Sequence, residues 1–152
     1  MSLKYQDNGN LIKGSHPVTW EEFVMEFGYN ARRMDLIHGL EQLICDLADC
    51  GCTAIYIDGS FVTKKRNPAD FDACWKHNEA DVDLHKLKTK YPEIFTGSIS
   101  AQKLIYKGEV RNAFDFADYD DCYLHYFQKD KGDKSPKGII QLNIKPAADD
   151  KE

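Results

Sequence analysis

The sequence predicts an α/β fold, α+β in detail, in which a short mixed sheet carries packed helices. Three observations predict it. Leu36, Leu40, Leu43 and Leu47 recur at the spacing of one helical face. Two β-branched stretches read as strands: Thr53 to Ile57, and Ile140, Leu142 and Ile144 alternating with Gln141 and Asn143. The chain has 152 residues, the size of one domain with a core of its own.

The elements follow in order. Residues 1–18 read as an irregular lead punctuated by Gly9, Gly14 and Pro17. Residues 19–144 form the single domain. It opens with a capping box in Thr19-Trp20-Glu21-Glu22, which predicts a helix to about Phe27 stopped at Gly28. Asn30 caps the next helix, which carries the leucine stripe and closes at Gly51. Thr53–Ile57 is a strand broken by Gly59-Ser60, and a basic loop with Lys64, Lys65 and Arg66 follows. Polar and apolar residues alternate from Asp70, giving a second strand to Trp75. Asp81 to Tyr91 reads as a helix stopped by Pro92, with Asp81-Val82-Asp83 as acids favoured at its start. Leu104 to Ala113 is a third strand, Ile140 to Ile144 the last, and residues 145–152 a frayed polar tail.

Composition bounds the function. Hydrophobic residues are 42% and charged residues 30%, a globular balance. No apolar run is long enough to span a membrane. The first residues hold no apolar signal core, so a cytoplasmic protein is expected. Five cysteines, an odd number, fit free thiols in a reducing compartment, and their spacing lacks the paired pattern of a zinc site. The net charge of -5 gives no general basic footprint, so a nucleic-acid partner would need a local patch such as Lys64 to Arg66.

The chemistry concentrates between Ile57 and Asp72. Asp70 and Asp72, two apart on a strand, point to one face. Like charges this close repel unless a cation lies between them. Paired hard oxygen donors suit Mg²⁺, which binds through one or two carboxylates plus substrate phosphates. Upstream, Gly59-Ser60 at a strand end exposes backbone N–H groups and a hydroxyl that can hold phosphate oxygens. Lys64 and Lys65, between the two motifs, are candidates for touching those phosphates. The sum is a phosphate cradle facing a two-carboxylate metal site.

Gly59-Ser60, a nine-residue spacer and Asp70-Phe71-Asp72 resemble the signature of the polymerase-β-like nucleotidyltransferase superfamily. The match departs at Asp58, where that superfamily has an apolar residue. More of the chain is similar to a minimal, uncharacterised bacterial and phage nucleotidyltransferase-like family. The similar stretches are Gly14-Ser15-His16, Thr19 to Phe23, Ile57 to Lys64, Gln102-Lys103, Gly108-Glu109-Val110, Tyr126-Phe127-Gln128 and Lys137 to Ile140.

The resemblance implies a sheet of about four or five strands with helices mainly on one face. It implies two Mg²⁺ ions at Asp70 and Asp72 and a nucleoside triphosphate as donor. It also implies a third carboxylate on a neighbouring strand, for which Glu109 is the candidate and Asp115 and Asp118 the alternatives. The expected activity is transfer of a nucleoside monophosphate to a hydroxyl of an RNA, protein or small-molecule acceptor. The alternative is a catalytically inactive antitoxin or regulatory interaction protein, since minimal relatives occur in toxin–antitoxin or phage-defence settings. At this length no further domain grips the acceptor, so a protein partner or a homodimer mate would have to contribute.

Overall fold

The structure is a computed structural model. It describes residues 3–145 apart from 79, 119, 120, 131 and 133, and at 116–118 and 121 it describes the backbone alone. Among the described residues, seven strands and the helices between them run in the order β1 (Gly14–Val18), α1 (Trp20–Phe27), α2 (Ala31–Asp49), β2 (Ala54–Asp58), β3 (Phe71–Trp75), α3 (Leu84–Lys90), α4 (Pro92–Phe95), α5 (Ile99–Tyr106), β4 (Gly108–Asn112), β5 (Phe116–Asp118), β6 (Asp121–Cys122), α6 (Tyr123–Tyr126) and β7 (Gly138–Asn143). A single 3₁₀ turn, Ser60–Val62, follows β2. The main sheet has five strands in the order β1-β7-β2-β3-β4. Its outer pairs, β1–β7 and β3–β4, are parallel; the two inner pairs are antiparallel. The sheet is therefore mixed, as the sequence predicts.

The two faces of this sheet differ. Ile55 and Ile57 of β2, Phe71, Ala73 and Trp75 of β3, Val110 of β4, and Ile140 and Leu142 of β7 join the main core. The leucine stripe of α2 and Phe23 and Phe27 of α1 complete it. The other face carries the alternate residues. There Tyr56, Cys74 and Ile139 pack with Ala113 and Phe127 in a smaller cluster. Period-two alternation thus sends the apolar set to the helices and leaves the second face for polar chemistry.

The helix starts follow their caps. Thr19 Oγ1 accepts from the Glu22 N–H at 3.1 Å, and Glu22 Oε1 accepts from the Thr19 N–H at 2.9 Å. Asn30 Oδ1 accepts from the Arg33 N–H at 2.8 Å, and Asp83 Oδ1 from the Lys86 N–H at 3.0 Å. α2 ends at Asp49 with Cys50 as its C-cap, and Gly51 turns the chain with φ +86°.

Three boundaries differ from the sequence reading. Gly14–Val18, read as irregular lead, is β1; it lies at the sheet edge, where Pro17 costs no ladder bond. Leu104 to Ala113 is not one strand. Helix α5 runs through Tyr106, Lys107 reverses it at φ +68°, and β4 begins at Gly108. The helix read from Asp81 begins at Leu84, and Pro92 opens α4 as well as ending α3. Residues 146–152, the tail read as frayed, lie outside the described residues. Among the described residues no helix is long and apolar enough to cross a membrane.

Candidate functional site

The polar end of the second face holds a row of acids. In the antiparallel β2–β3 register Asp58 faces Asp72, and in the parallel β3–β4 register Asp72 faces Glu109. Directly paired residues project to the same face, so three carboxylates stand side by side on adjacent strands. Asp70, two residues before Asp72, stands at the mouth of the row. Of the three candidates for the third acid, Glu109 is the one the fold places beside Asp72. Asp115 lines a separate cavity past the far end of β4, and the Asp118 side chain lies outside the described residues.

Two neighbouring cavities share Asp70, Asp72 and Lys137. One, of about 330 Å³, includes Asp58, Glu109, Arg111 and Lys129 in its lining. The other, of about 340 Å³, includes Gly59, Ser60, Thr63 and Asn10. The glycine–serine motif and the carboxylates therefore meet, as their spacing predicts. The contact at Gly59 is close. Its backbone stands at φ +81°, ψ -172°, and a Cβ there would lie 2.6 Å from Asp72 Oδ2. Only glycine lets the turn approach the carboxylate this nearly.

These four carboxylates, with Asp130 also lining the second cavity, require compensating charge. Lys103 Nζ lies 3.2 Å from Asp70 Oδ2 and 3.4 Å from Glu109 Oε2. Arg111 Nη2 lies 3.2 Å from Glu109 Oε1, and Lys137 Nζ lies 3.2 Å from Asp58 Oδ1. The Lys137–Asp58 pair is the most enclosed of these, with side chains 11% and 5% exposed. Hydrogen bonds to Asp70 and then Glu109 hold the Lys103 ammonium above its ordinary pKa. Burial, and after it the Asp58 carboxylate, pushes the Cys74 thiol beyond its usual range.

Sequence reasoning reached Asp70, Asp72, Glu109, Gly59 and Ser60, and the fold brings all five together. It missed the cations. Lys103 and Lys137 lie within the stretches Gln102-Lys103 and Lys137 to Ile140, and Arg111 shares the face of Glu109 by simple alternation. Lys64 and Lys65 stand apart from both cavities. Lys64 Nζ sits 4.2 Å from the Tyr5 ring centroid, and both lysines are exposed. Among the described residues the cation that borders the Gly59-Ser60 cavity is Lys137.

Also missed was what holds the loop between the motifs. Arg33, fully buried, donates to the carbonyls of Phe27, Phe61, Thr63 and Lys65. Its guanidinium stacks against Tyr29 and Phe61, at 4.8 and 4.9 Å from their centroids. Arg32 donates to the carbonyls of Pro68 and Ala69, and Asn30 to that of Arg66. The first turn of α2 thus grips the backbone from Phe61 to Ala69, between Ser60 and Asp70. No charge pattern signals this, because the partners are carbonyls.

Hard carboxylate oxygens are the donor chemistry Mg²⁺ takes, and the ammonium of Lys103 between Asp70 and Glu109 marks a place for positive charge. Among the described residues no three His, Cys, Asp or Glu side chains are gathered closely enough to form a metal cage. The oxygen donors are of the type Mg²⁺ takes, and in this structure an ammonium occupies the position between Asp70 and Glu109.

Searches of curated proteins and of solved structures returned no match. A family profile described as a family of unknown function (DUF6932) matches residues 3–143, nearly the whole chain, and the protein belongs to that family.

Proposed function

We propose that the protein is a Mg²⁺-dependent nucleotidyltransferase that moves a nucleoside monophosphate from a nucleoside triphosphate to a hydroxyl of an RNA, protein or small-molecule acceptor. The observation that carries this reading is the juxtaposition of Gly59-Ser60 with the cross-strand carboxylates of Asp72 and Glu109. It is the arrangement expected from the polymerase-β-like resemblance.

In this reading the Gly59 backbone and the Ser60 hydroxyl orient the phosphates, and Lys137 offsets their charge. Asp70 and Asp72, with Glu109, would hold Mg²⁺, which supplies charge neutralisation at the phosphates. The acceptor oxygen bonds to the α-phosphorus, the bond to the bridging oxygen breaks, and pyrophosphate leaves. A carboxylate of the row takes the acceptor's proton. Position and charge supply the rate, without a covalent intermediate. The acceptor comes with a protein partner or a second copy of the chain. The setting is the cytoplasm, which keeps the five thiols reduced.

The test is incubation of the protein with labelled triphosphates, Mg²⁺ and RNA or protein acceptors, beside the Asp70→Asn/Asp72→Asn variant. Labelled product from the unaltered chain alone is the expected result. No transfer from either sinks the reading.

One observation favours a second reading. Lys103, Arg111 and Lys137 already pair with Asp70, Glu109 and Asp58. A self-compensated row is what an inactive antitoxin or regulator would retain. A stable partner complex that survives Asp70→Asn, with no product in the transfer assay, would select it.

A further inference from the structure

A larger cavity, of about 420 Å³, opens past the far ends of β3 and β4. Trp75, Phe95 and Tyr123 give it aromatic walls, and Arg111, Asn112 and Asp115 give it a polar one. Such a mixture of aromatic area and a few placed polar groups is typical of small-molecule sites. The walls are braced. The Trp75 and His77 ring centroids lie 5.3 Å apart, and His77 Nδ1 is held 3.1 Å from Asn112 Nδ2. Phe95, in contrast, is 43% exposed. Among the described residues the Asp115 carboxylate has no hydrogen-bond or ion-pair partner.

Arg111 joins this cavity to the acid row. It lines both spaces, its guanidinium lies 5.0 Å from the Tyr123 ring centroid, and its Nη2 contacts Glu109 at 3.2 Å. Glu109 and Arg111 are two residues apart on β4 and project to one face, roughly 7 Å apart at about 3.3 Å per residue. A base, its ribose and its phosphates bridge a separation of that order.

We propose that this cavity binds a nucleobase, with Phe95 and Tyr123 against its faces and Asp115 accepting from its N–H edge. A carboxylate only accepts hydrogen bonds, so it selects bases that donate. Guanine, with two adjacent N–H donors, fits it best. The assignment rests on the nucleotide reading of the acid row for the remainder of the ligand.

Nucleosides, which carry no phosphate, separate the two claims. The chain has two tryptophans, Trp20 and Trp75, so Trp20→Phe leaves Trp75 as a fluorescent reporter. Guanosine is titrated without Mg²⁺ into this protein by fluorescence and into the unaltered protein by calorimetry, with uridine and ribose 5-phosphate as comparisons. Guanosine should bind and change Trp75 emission, and uridine should bind more weakly. Phe95→Ala and Asp115→Asn should each weaken guanosine by roughly tenfold. Both side chains are exposed, so these variants should fold. Asp70→Asn/Asp72→Asn should leave guanosine binding unchanged. No nucleoside binding at millimolar concentration, or binding indifferent to Phe95 and Asp115, overturns the proposal whatever the transfer assay shows. Failed transfer with guanosine binding intact overturns only the transfer reading.

Discussion

Gly59 concentrates the argument for the site in one residue. Its φ and ψ fall in a region that side chains other than glycine's essentially do not enter, and Asp72 Oδ2 fills the space a Cβ would need. Conformation and contact therefore make the same demand. Gly59→Ala should cost on the order of 1–3 kcal/mol in urea denaturation. It should also push the Asp72 carboxylate away from the Gly59-Ser60 cavity, so nucleotide affinity falls further than stability alone explains. A variant with full stability and full affinity would show that the close approach has no role. Lys103 makes a complementary point. It lies on α5, yet its ammonium ties Asp70 to Glu109 across two elements.

At the scale of elements, α2 has two jobs. Its apolar stripe anchors the core, and its first turn holds the loop that separates the glycine–serine turn from Asp70. Arg33 suits the second job because a guanidinium presents a fixed fork of donors. Arg33→Lys keeps the charge but cannot reach all four carbonyls, and leaves buried acceptors unpaired. It should destabilise the protein by about 3 kcal/mol in urea denaturation. Amide hydrogen exchange should also quicken at Phe61 to Lys65 relative to β2, an effect that general destabilisation would not confine to the loop. The stripe of α2 was legible because burial imposes a period on sequence, and so were the caps of α1 and α2, which are local. The grip of Arg33 was not, since backbone carbonyls carry no residue code. β1 was hidden for a related reason. Edge strands tolerate proline and polar residues, so Gly14-Ser15-His16-Pro17-Val18 carries no apolar–polar alternation in sequence, although its burial alternates. The Leu104 stretch misled because Leu104 and Ile105 are apolar but exposed, at 84% and 48%, on the outer side of α5. The Gly-Ser…Asp-x-Asp spacing was legible for the opposite reason: two Asp residues in one strand are unusual, and the fold gathers the motif around one cavity.

At the scale of the whole molecule, the two faces of the sheet differ in chemistry. The helices bury one face, which supplies the stability, and the other face can then carry four carboxylates and their cations. A ligand held there links the site to global unfolding, because binding to the folded state alone stabilises it by RT ln(1 + [L]/Kd). At a hundredfold excess over Kd that is about 2.7 kcal/mol, which for a domain of this size raises the melting temperature by roughly 5–10 °C. The most direct test of the site is therefore thermal unfolding with and without Mg²⁺ and nucleoside triphosphate, for the unaltered chain and for Asp70→Asn/Asp72→Asn. A rise of several degrees that needs both Mg²⁺ and triphosphate, and is absent from the double variant, is the predicted result. No rise in the unaltered chain, or an equal rise in the variant, would contradict it.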